Sequence, residues 1–297
     1  MSSKTSTALS NEIPTYQLNV FTNNQAEKLD VFFIDRNLEI APARIDVPYR
    51  SNFSAVGICL KGEAELKANL ENYIIKPGSL VVKPAYVIQQ WTRRSVDFES
   101  LTICFTKEFV ADNTGLNLDK FKFFESVAKH VFPVSAEDFK NFKDALKNLQ
   151  EKYYAPHAFR NEILQNLISV LLYETASVYE RLHISSNQTQ TRSDQIASEF
   201  KKLLNENFTA ERTLKFYAEK LLITPKHLTE TIKKATGKTA GEWIAEKVTL
   251  EAKVLMQNPS LNVEQISNVL NFPDQSTFGK FFKNQTGLAP SAYKKAF

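Results

Sequence analysis

Hydrophobic positions change their period along this chain, and the changes divide it into regions. Between residues 16 and 110 they fall in short runs: Val31-Phe-Phe-Ile, Ala55-Val-Gly-Ile-Cys-Leu, Tyr73-Ile-Ile, Ser79-Leu-Val-Val and Leu101-Thr-Ile-Cys-Phe. Glu63-Ala-Glu-Leu-Lys-Ala alternates strictly, as a strand with one buried face does. Turn signals separate these runs at Lys61-Gly62, at Asn69 to Asn72 and at Lys76-Pro77-Gly78-Ser79. Regularly spaced short strands predict a small barrel or sandwich.

From 118 to 182 the period becomes helical. Phe139, Phe142, Leu146, Leu149 and Tyr153 form one stripe, and Leu164, Ile168, Leu171, Thr175, Val178 and Leu182 form a second. Stripes this narrow predict packing on the strands or on each other, a two-fold dimer seam, or both at once. Residues 183–192 are polar and aperiodic and read as a linker.

Helical patterning fills 193–297, where the chain nearly repeats itself at an offset of 50. Leu228, Ile232, Lys233, Thr236-Gly237 and Trp243 match Phe278, Phe282, Lys283, Thr286-Gly287 and Tyr293. Each repeat has the parts of a helix-turn-helix. Thr213 and Thr224-Pro225 start the two helices of the first, and Gly237 ends it. In the second, Asn262 with Gln265 forms a capping box, Asn271 occupies the turn, Asp274 caps the next helix and Gly287 closes it. Ile244, Val248, Ala252 and Leu255 mark a helix joining the two units, stopped at Asn258-Pro259.

Charge sharpens this division. The net charge of +4 splits into 16 Lys+Arg against 11 Asp+Glu from Thr191 onward, and 21 against 22 before it. The basic excess lies on the helix-turn-helix half, where a polyanion would bind. Eight glycines in 297 residues argue against a phosphate-cradling enzyme, and Cys59 and Cys104, 45 positions apart, cannot form a zinc-bound cysteine cluster. Both read as buried thiols. No run approaches the roughly 20 apolar residues of a membrane helix, and the N-terminus lacks a secretory pattern. A cytoplasmic protein with no enzymatic activity, no cofactor and no membrane partner is expected.

The C-terminal part resembles the AraC/XylS family of bacterial regulators. The resemblance rests on Tyr217-Ala-Glu-Lys-Leu, Thr224-Pro-Lys-His-Leu, Thr236-Gly-Lys-Thr, Leu250-Glu-Ala-Lys, Asn271-Phe-Pro-Asp-Gln-Ser-Thr-Phe-Gly-Lys-Phe-Phe-Lys and Thr286-Gly-Leu-Ala-Pro. It implies two recognition helices entering successive major-groove segments of double-stranded DNA. Lys226, Thr229 and Glu230 in one helix, and Gln275, Ser276, Gly279 and Lys280 in the other, match the family's base-reading positions. Lys and Gln suit guanine and adenine edges. Lys233, Lys234 and Lys283 are placed for phosphates. Three residues depart from the pattern. Glu230 stands where Arg is common, Leu222 where a small or Asn-like residue usually sits, and Gly279 offers no side chain.

The N-terminal part resembles, more loosely, the cupin-like sensory barrel of such regulators, on Pro48-Tyr-Arg-Ser, Leu60-Lys-Gly-Glu-Ala-Glu-Leu and Ile75-Lys-Pro-Gly-Ser-Leu-Val-Val-Lys-Pro. The resulting expectation is a multi-domain α+β chain: barrel over 16–110, helical packing or dimerisation segment over 118–182, linker over 183–192, double helix-turn-helix over 193–297. All four histidines (His130, His157, His183 and His227) lie outside the barrel, so no His-ligated metal site is expected in it. Arg50, Tyr86, Gln90, Trp91 and Arg93 are the candidate effector-pocket residues. A small-molecule effector, RNA polymerase and a second copy of the chain are candidate partners. Control by a partner or by dimerisation, with no effector, is the alternative.

Overall fold

The computed structural model describes residues 15, 29–34, 46–125, 128–187 and 191–295, with side chains of the long third helix described to 182. The strands are β1 (Val31–Ile34), β2 (Ser54–Lys61), β3 (Ala64–Ala68), β4 (Glu71–Ile75), β5 (Ser79–Lys83), β6 (Gln89–Arg94), β7 (Glu99–Phe105) and β8 (Val131–Pro133). They form a five-stranded sheet, β1-β7-β2-β5-β8, and a three-stranded sheet, β4-β3-β6, with antiparallel pairing throughout. Cys59 and Val81 of one sheet pack on Ala64, Leu66, Ile75 and Trp91 of the other. Among the described residues no ladder joins the two sheets. The N-terminal part is therefore a sheet domain with a sandwich-like interior, and the expected closed barrel is not what the ladders draw.

Side-chain alternation assigns the two faces of the larger sheet. Val56, Ile58, Leu80, Val82, Ile103 and Phe105 point outward to the helices, into the largest core. That core is covered by α1 (Lys107–Thr114), α2 (Ala136–Tyr154) and α3 (Arg160–Asn187). Ser135 caps α2 through the Asp138 amide, and Gly115 ends α1 at φ 62°. Phe142, Leu146 and Leu149 of α2, and Leu164, Ile168, Leu171 and Val178 of α3, are buried in this core. Most of both stripes is thus packed within the chain, while Leu182 is exposed. Strand β8 lies inside the segment expected to be wholly helical. Helix α3 runs to Asn187 and Thr191 already caps the next helix, so most of the expected linker at 183–192 is helical, and its residues 188–190 lie outside the described residues.

On the opposite face, Lys83, Ala55 and Cys104 lie in one row across β5, β2 and β7. Lys83 is only 8% exposed. Its ammonium donates to Ser51 Oγ and sits 3.6 Å from the centre of the Phe53 ring. Among the described residues it meets no carboxylate, and burial pushes it down to about 7. Cys59 and Cys104 are buried free thiols, pushed up by burial to about 11 and about 12.

The C-terminal part is all helix: α4 (Arg192–Asn207), α5 (Leu214–Lys220), α6 (Pro225–Thr236), α7 (Ala240–Leu255), α8 (Val263–Val269), α9 (Gln275–Thr286) and α10 (Pro290–Lys294). Two cores form here. One gathers Phe200, Tyr217, Leu228, Ile232 and Trp243, the other Leu255, Ile266, Leu270, Phe278 and Phe282. Helix α7 contributes to both and is buried on nearly every side, as a helix enclosed by neighbours must be. Among the described residues no helix is long and apolar enough to cross a membrane.

Candidate nucleic-acid interface

Each helix-turn-helix is built by capping chemistry. Thr213 Oγ accepts from the Phe216 amide to start α5, and Thr224 Oγ accepts from the His227 amide to start α6 with Pro225 in the first position. In the second unit Asn262 and Gln265 form a reciprocal box at α8, and Asp274 accepts from the Thr277 amide at α9. Helices α6 and α9 have the same length of 12 residues, and each ends at a left-handed glycine, Gly237 at φ 79° and Gly287 at φ 77°.

The turns show why the repeat is imperfect. Leu222 and Asn271 both take left-handed backbone, at φ 55° and 54°. After each, the next amide (Ile223, Phe272) donates back to the shorter helix, at Ala218 O and Ser267 O. The N-caps of α5 and α8 are 49 residues apart, whereas those of α6 and α9 are 50 apart. Pro273 is the additional residue, inserted between the shared turn and the cap of α9.

Asn tolerates positive φ; Leu does not. Leu222 is also 92% exposed, so packing returns nothing for the strain. Leu222→Asn is expected to stabilise the protein by about 1 kcal/mol. Chemical denaturation checks this, and an unchanged or lower midpoint would refute it.

The first-turn faces of α6 and α9 point to solvent. Lys226, Glu230, Gln275, Ser276 and Lys280 are exposed, while Thr229 and Gly279 are half-buried. Thr229 donates its hydroxyl to Pro225 O, leaving its oxygen as an acceptor. Lys233, Lys234 and Lys283 are exposed one turn further along the same helices. His227, also exposed in the first turn of α6, belongs to this surface and carried no signal beyond its place beside Lys226. The two units touch through Arg212, whose guanidinium lies 3.9 Å from the centre of the Phe272 ring.

The chain matches the family model described as a helix-turn-helix domain over residues 217–296. It is 30% identical over 118 residues to the HTH-type transcriptional activator AarP of Providencia stuartii, covering 39% of this chain and 87% of that protein. The chain belongs to the AraC/XylS family of transcriptional regulators. Over nearly its full length it is 21% identical to the uncharacterized HTH-type transcriptional regulator YijO of Escherichia coli, covering 95% of this chain and 94% of that one. The match to the Msm operon regulatory protein of Streptococcus mutans is 26% identical over 132 residues and spans 45% of that relative's length. Apo ToxT from Vibrio cholerae aligns with 89% of this chain and 96% of its own at 16% identity, with a TM-score of 0.38.

In this AraC-family regulator the five candidate pocket residues do not converge. Gln90 and Trp91 are strand neighbours and point to opposite faces. Trp91 turns inward and donates to the Tyr49 hydroxyl at 3.1 Å, while Gln90 donates outward to Asp46 O. Arg93 is exposed beside Glu63 and Glu65. Arg50 donates through Nε to Tyr86 O and through Nη2 to both carboxylate oxygens of Glu251 of α7, at 3.0 and 2.8 Å. The Tyr86 side chain itself is exposed.

That pair belongs to a junction between the sheet domain and the DNA-binding unit. Around it Lys247 donates to Asn69 Oδ1, Gln257 donates to Pro48 O, and Lys201 pairs with Glu71. The β3–β4 turn is a two-residue loop with positive φ at both Asn69 and Leu70, which suits a right-twisted hairpin. Leu there is strained, yet its side chain is buried in the first helix-turn-helix core. Burial lowers Lys247 to about 8, although Glu251 opposes the shift. The one available sequence signal is the four-residue spacing of Lys247 and Glu251 on a helix that also carries an apolar face.

Proposed function

We propose that the protein is a sequence-specific DNA-binding regulator whose α6 and α9 read successive major-groove segments on one face of the duplex. The observation that carries this is the pair of equally long, side-chain-capped helices, each presenting an exposed polar first turn, held on one connecting helix. In this reading Lys226, Thr229, Glu230, Gln275, Ser276, Gly279 and Lys280 face base edges, with Gly279 permitting close approach. Lys233, Lys234 and Lys283 face phosphates. The protein acts in the cytoplasm, with RNA polymerase, a second copy of the chain and a small-molecule effector as further partners. The buried polar junction on α7 supports control by the sheet domain, because a change there bears directly on the helix that carries both readers.

Footprinting on DNA upstream of its own and neighbouring genes should show protection along one face over about two helical turns, weakening as salt rises. Lys280→Ala and Gln275→Ala should each cost about 1–3 kcal/mol on the preferred site and relax its sequence locally. Equal losses on every sequence would move both residues to the phosphate set, and salt-independent binding would end the DNA reading.

A further inference from the structure

We propose that Arg212 is a positioning residue for DNA reading: its guanidinium, lying over the Phe272 ring, fixes the angle between the two recognition helices and thereby the operator spacing the protein accepts. The proposal rests on the DNA-binding reading above. Helix α7 sets how far apart the two helices stand, but two small cores packed on one rod can still turn about it. A contact away from the rod removes that freedom, provided that both of its ends are rigid.

Both ends are. Arg212 stands in the turn between α4 and α5, immediately before the Thr213 cap. The Ala210 and Glu211 amides donate to Asn207 O, and the fully buried Tyr217 donates its hydroxyl to Glu211 O at 2.7 Å. Arg212 Nε and Nη2 donate to Phe208 O and Thr209 O at 3.4 and 3.5 Å, at the C-terminal end of α4, where a cation is favoured. Among the described residues Arg212 forms no ion pair, and its charge meets the Phe272 ring, 3.9 Å away. Phe272 in turn is held by its amide on Ser267 O at 2.9 Å and by Pro273, which follows it. Its ring packs on Phe278 and Phe281 of α9, with centroids 5.2 Å apart in each case. The contact therefore runs from the base of α5 to the second reader without passing through α7.

The internal repeat shows that a helix-turn-helix needs neither partner. Arg212 and Leu261 precede the equivalent caps Thr213 and Asn262, and Ile223 and Phe272 follow the equivalent left-handed residues Leu222 and Asn271. Leu261 and Ile223 are aliphatic and pack in their own units. The cation and the ring replace aliphatic side chains at just the two places where the units face each other. A planar guanidinium suits a ring face better than an ammonium does.

Two measurements on the full-length chain test this. Pulsed electron paramagnetic resonance without DNA reads the angle, with spin labels on Glu219→Cys and Gln285→Cys, both exposed and outside the proposed DNA contacts; Cys59 and Cys104 are buried. One narrow distance distribution is expected, broadened alike by Arg212→Gln and Phe272→Leu and kept in Phe272→Tyr. Circular dichroism verifies the fold of each variant. The second measurement is affinity for operators with one base pair inserted or removed between the two segments, a rotation of about 35°. The penalty for that change should shrink about threefold to tenfold in Arg212→Gln and Phe272→Leu. Binding to DNA carrying a single segment should stay as in the wild type. Unchanged distance distributions would overturn the proposal whether or not DNA is bound. A loss in Arg212→Gln that is equal at every spacing and absent in Phe272→Leu would overturn it by making Arg212 a phosphate ligand. A loosened pair in a chain whose wild type binds no operator would overturn the DNA reading and the positioning role with it.

Discussion

Replacing Lys83 with Met is expected to stabilise the protein by a few kcal/mol at pH 6 and to lose that advantage above pH 10.5. Burial against Phe53, with the Ser51 hydroxyl as the hydrogen-bond partner among the described residues, lowers the ammonium's pKa from 10.5 to about 7. Between those values the unfolded chain holds a proton that the folded chain has released. Folding then releases protons, and stability rises with pH across the window. Below about 7 both states are charged, and the folded state carries the whole cost of an unpaired buried charge. Met keeps the length of the side chain and removes the charge. It leaves Ser51 Oγ without its donor, which costs about 1–3 kcal/mol and reduces the gain.

Lys247, lowered to about 8, adds a similar rise above that pH in both proteins, so the difference between them isolates Lys83. Urea unfolding of the wild type and Lys83→Met at pH 6, 8 and 10 provides the measurement. Curves whose separation does not shrink as pH rises would contradict the assignment.

The second large effect concerns the junction. Arg50→Met should destabilise the docked arrangement by about 3–5 kcal/mol, because Glu251, 2% exposed, is left as a buried carboxylate without its guanidinium partner. Arg50→Met/Glu251→Met should recover much of that loss, since a buried pair and its apolar replacement differ far less than a pair and half a pair. Thermal unfolding is expected to separate into two transitions in the single variant as the sheet domain and helical unit lose their coupling. A single variant as stable as the wild type, or a double variant no better than the single, would contradict this account.

The helix-turn-helix half was legible because local chemistry specifies it. Thr213, Thr224, Asn262 and Asp274 are caps, Asn271, Gly237 and Gly287 are left-handed positions, and each acts within a few residues of itself. Leu222 was visible as an irregularity, and its backbone shows the cost. The sheet domain was legible only where strands are apolar. β6, Gln-Gln-Trp-Thr-Arg-Arg, turns few apolar groups inward and left no readable run, and the three residues of β8 are too few for a period.

The stripes on α2 and α3 were read correctly as apolar, but an apolar stripe does not name what covers it. The candidate pocket residues are dispersed in the fold, although four of the five lie within residues 86–93. Alternation separated Gln90 from Trp91, and Arg50 was taken by Glu251, a residue 201 positions away. Long-range pairing of that kind leaves no local trace. The residues proposed to read bases lie between these cases: the caps fix which face they occupy, and the preferred sequence depends on a duplex.

The connecting helix has one further implication. Its 16 residues span about 24 Å, and both readers are packed directly onto it, with no flexible tether between them. It therefore acts as a ruler. Two half-sites separated by an extra five base pairs, about half a turn of the duplex, would face opposite sides, and this molecule could grip only one of them at a time. Operators for this protein should tolerate altered bases better than altered spacing.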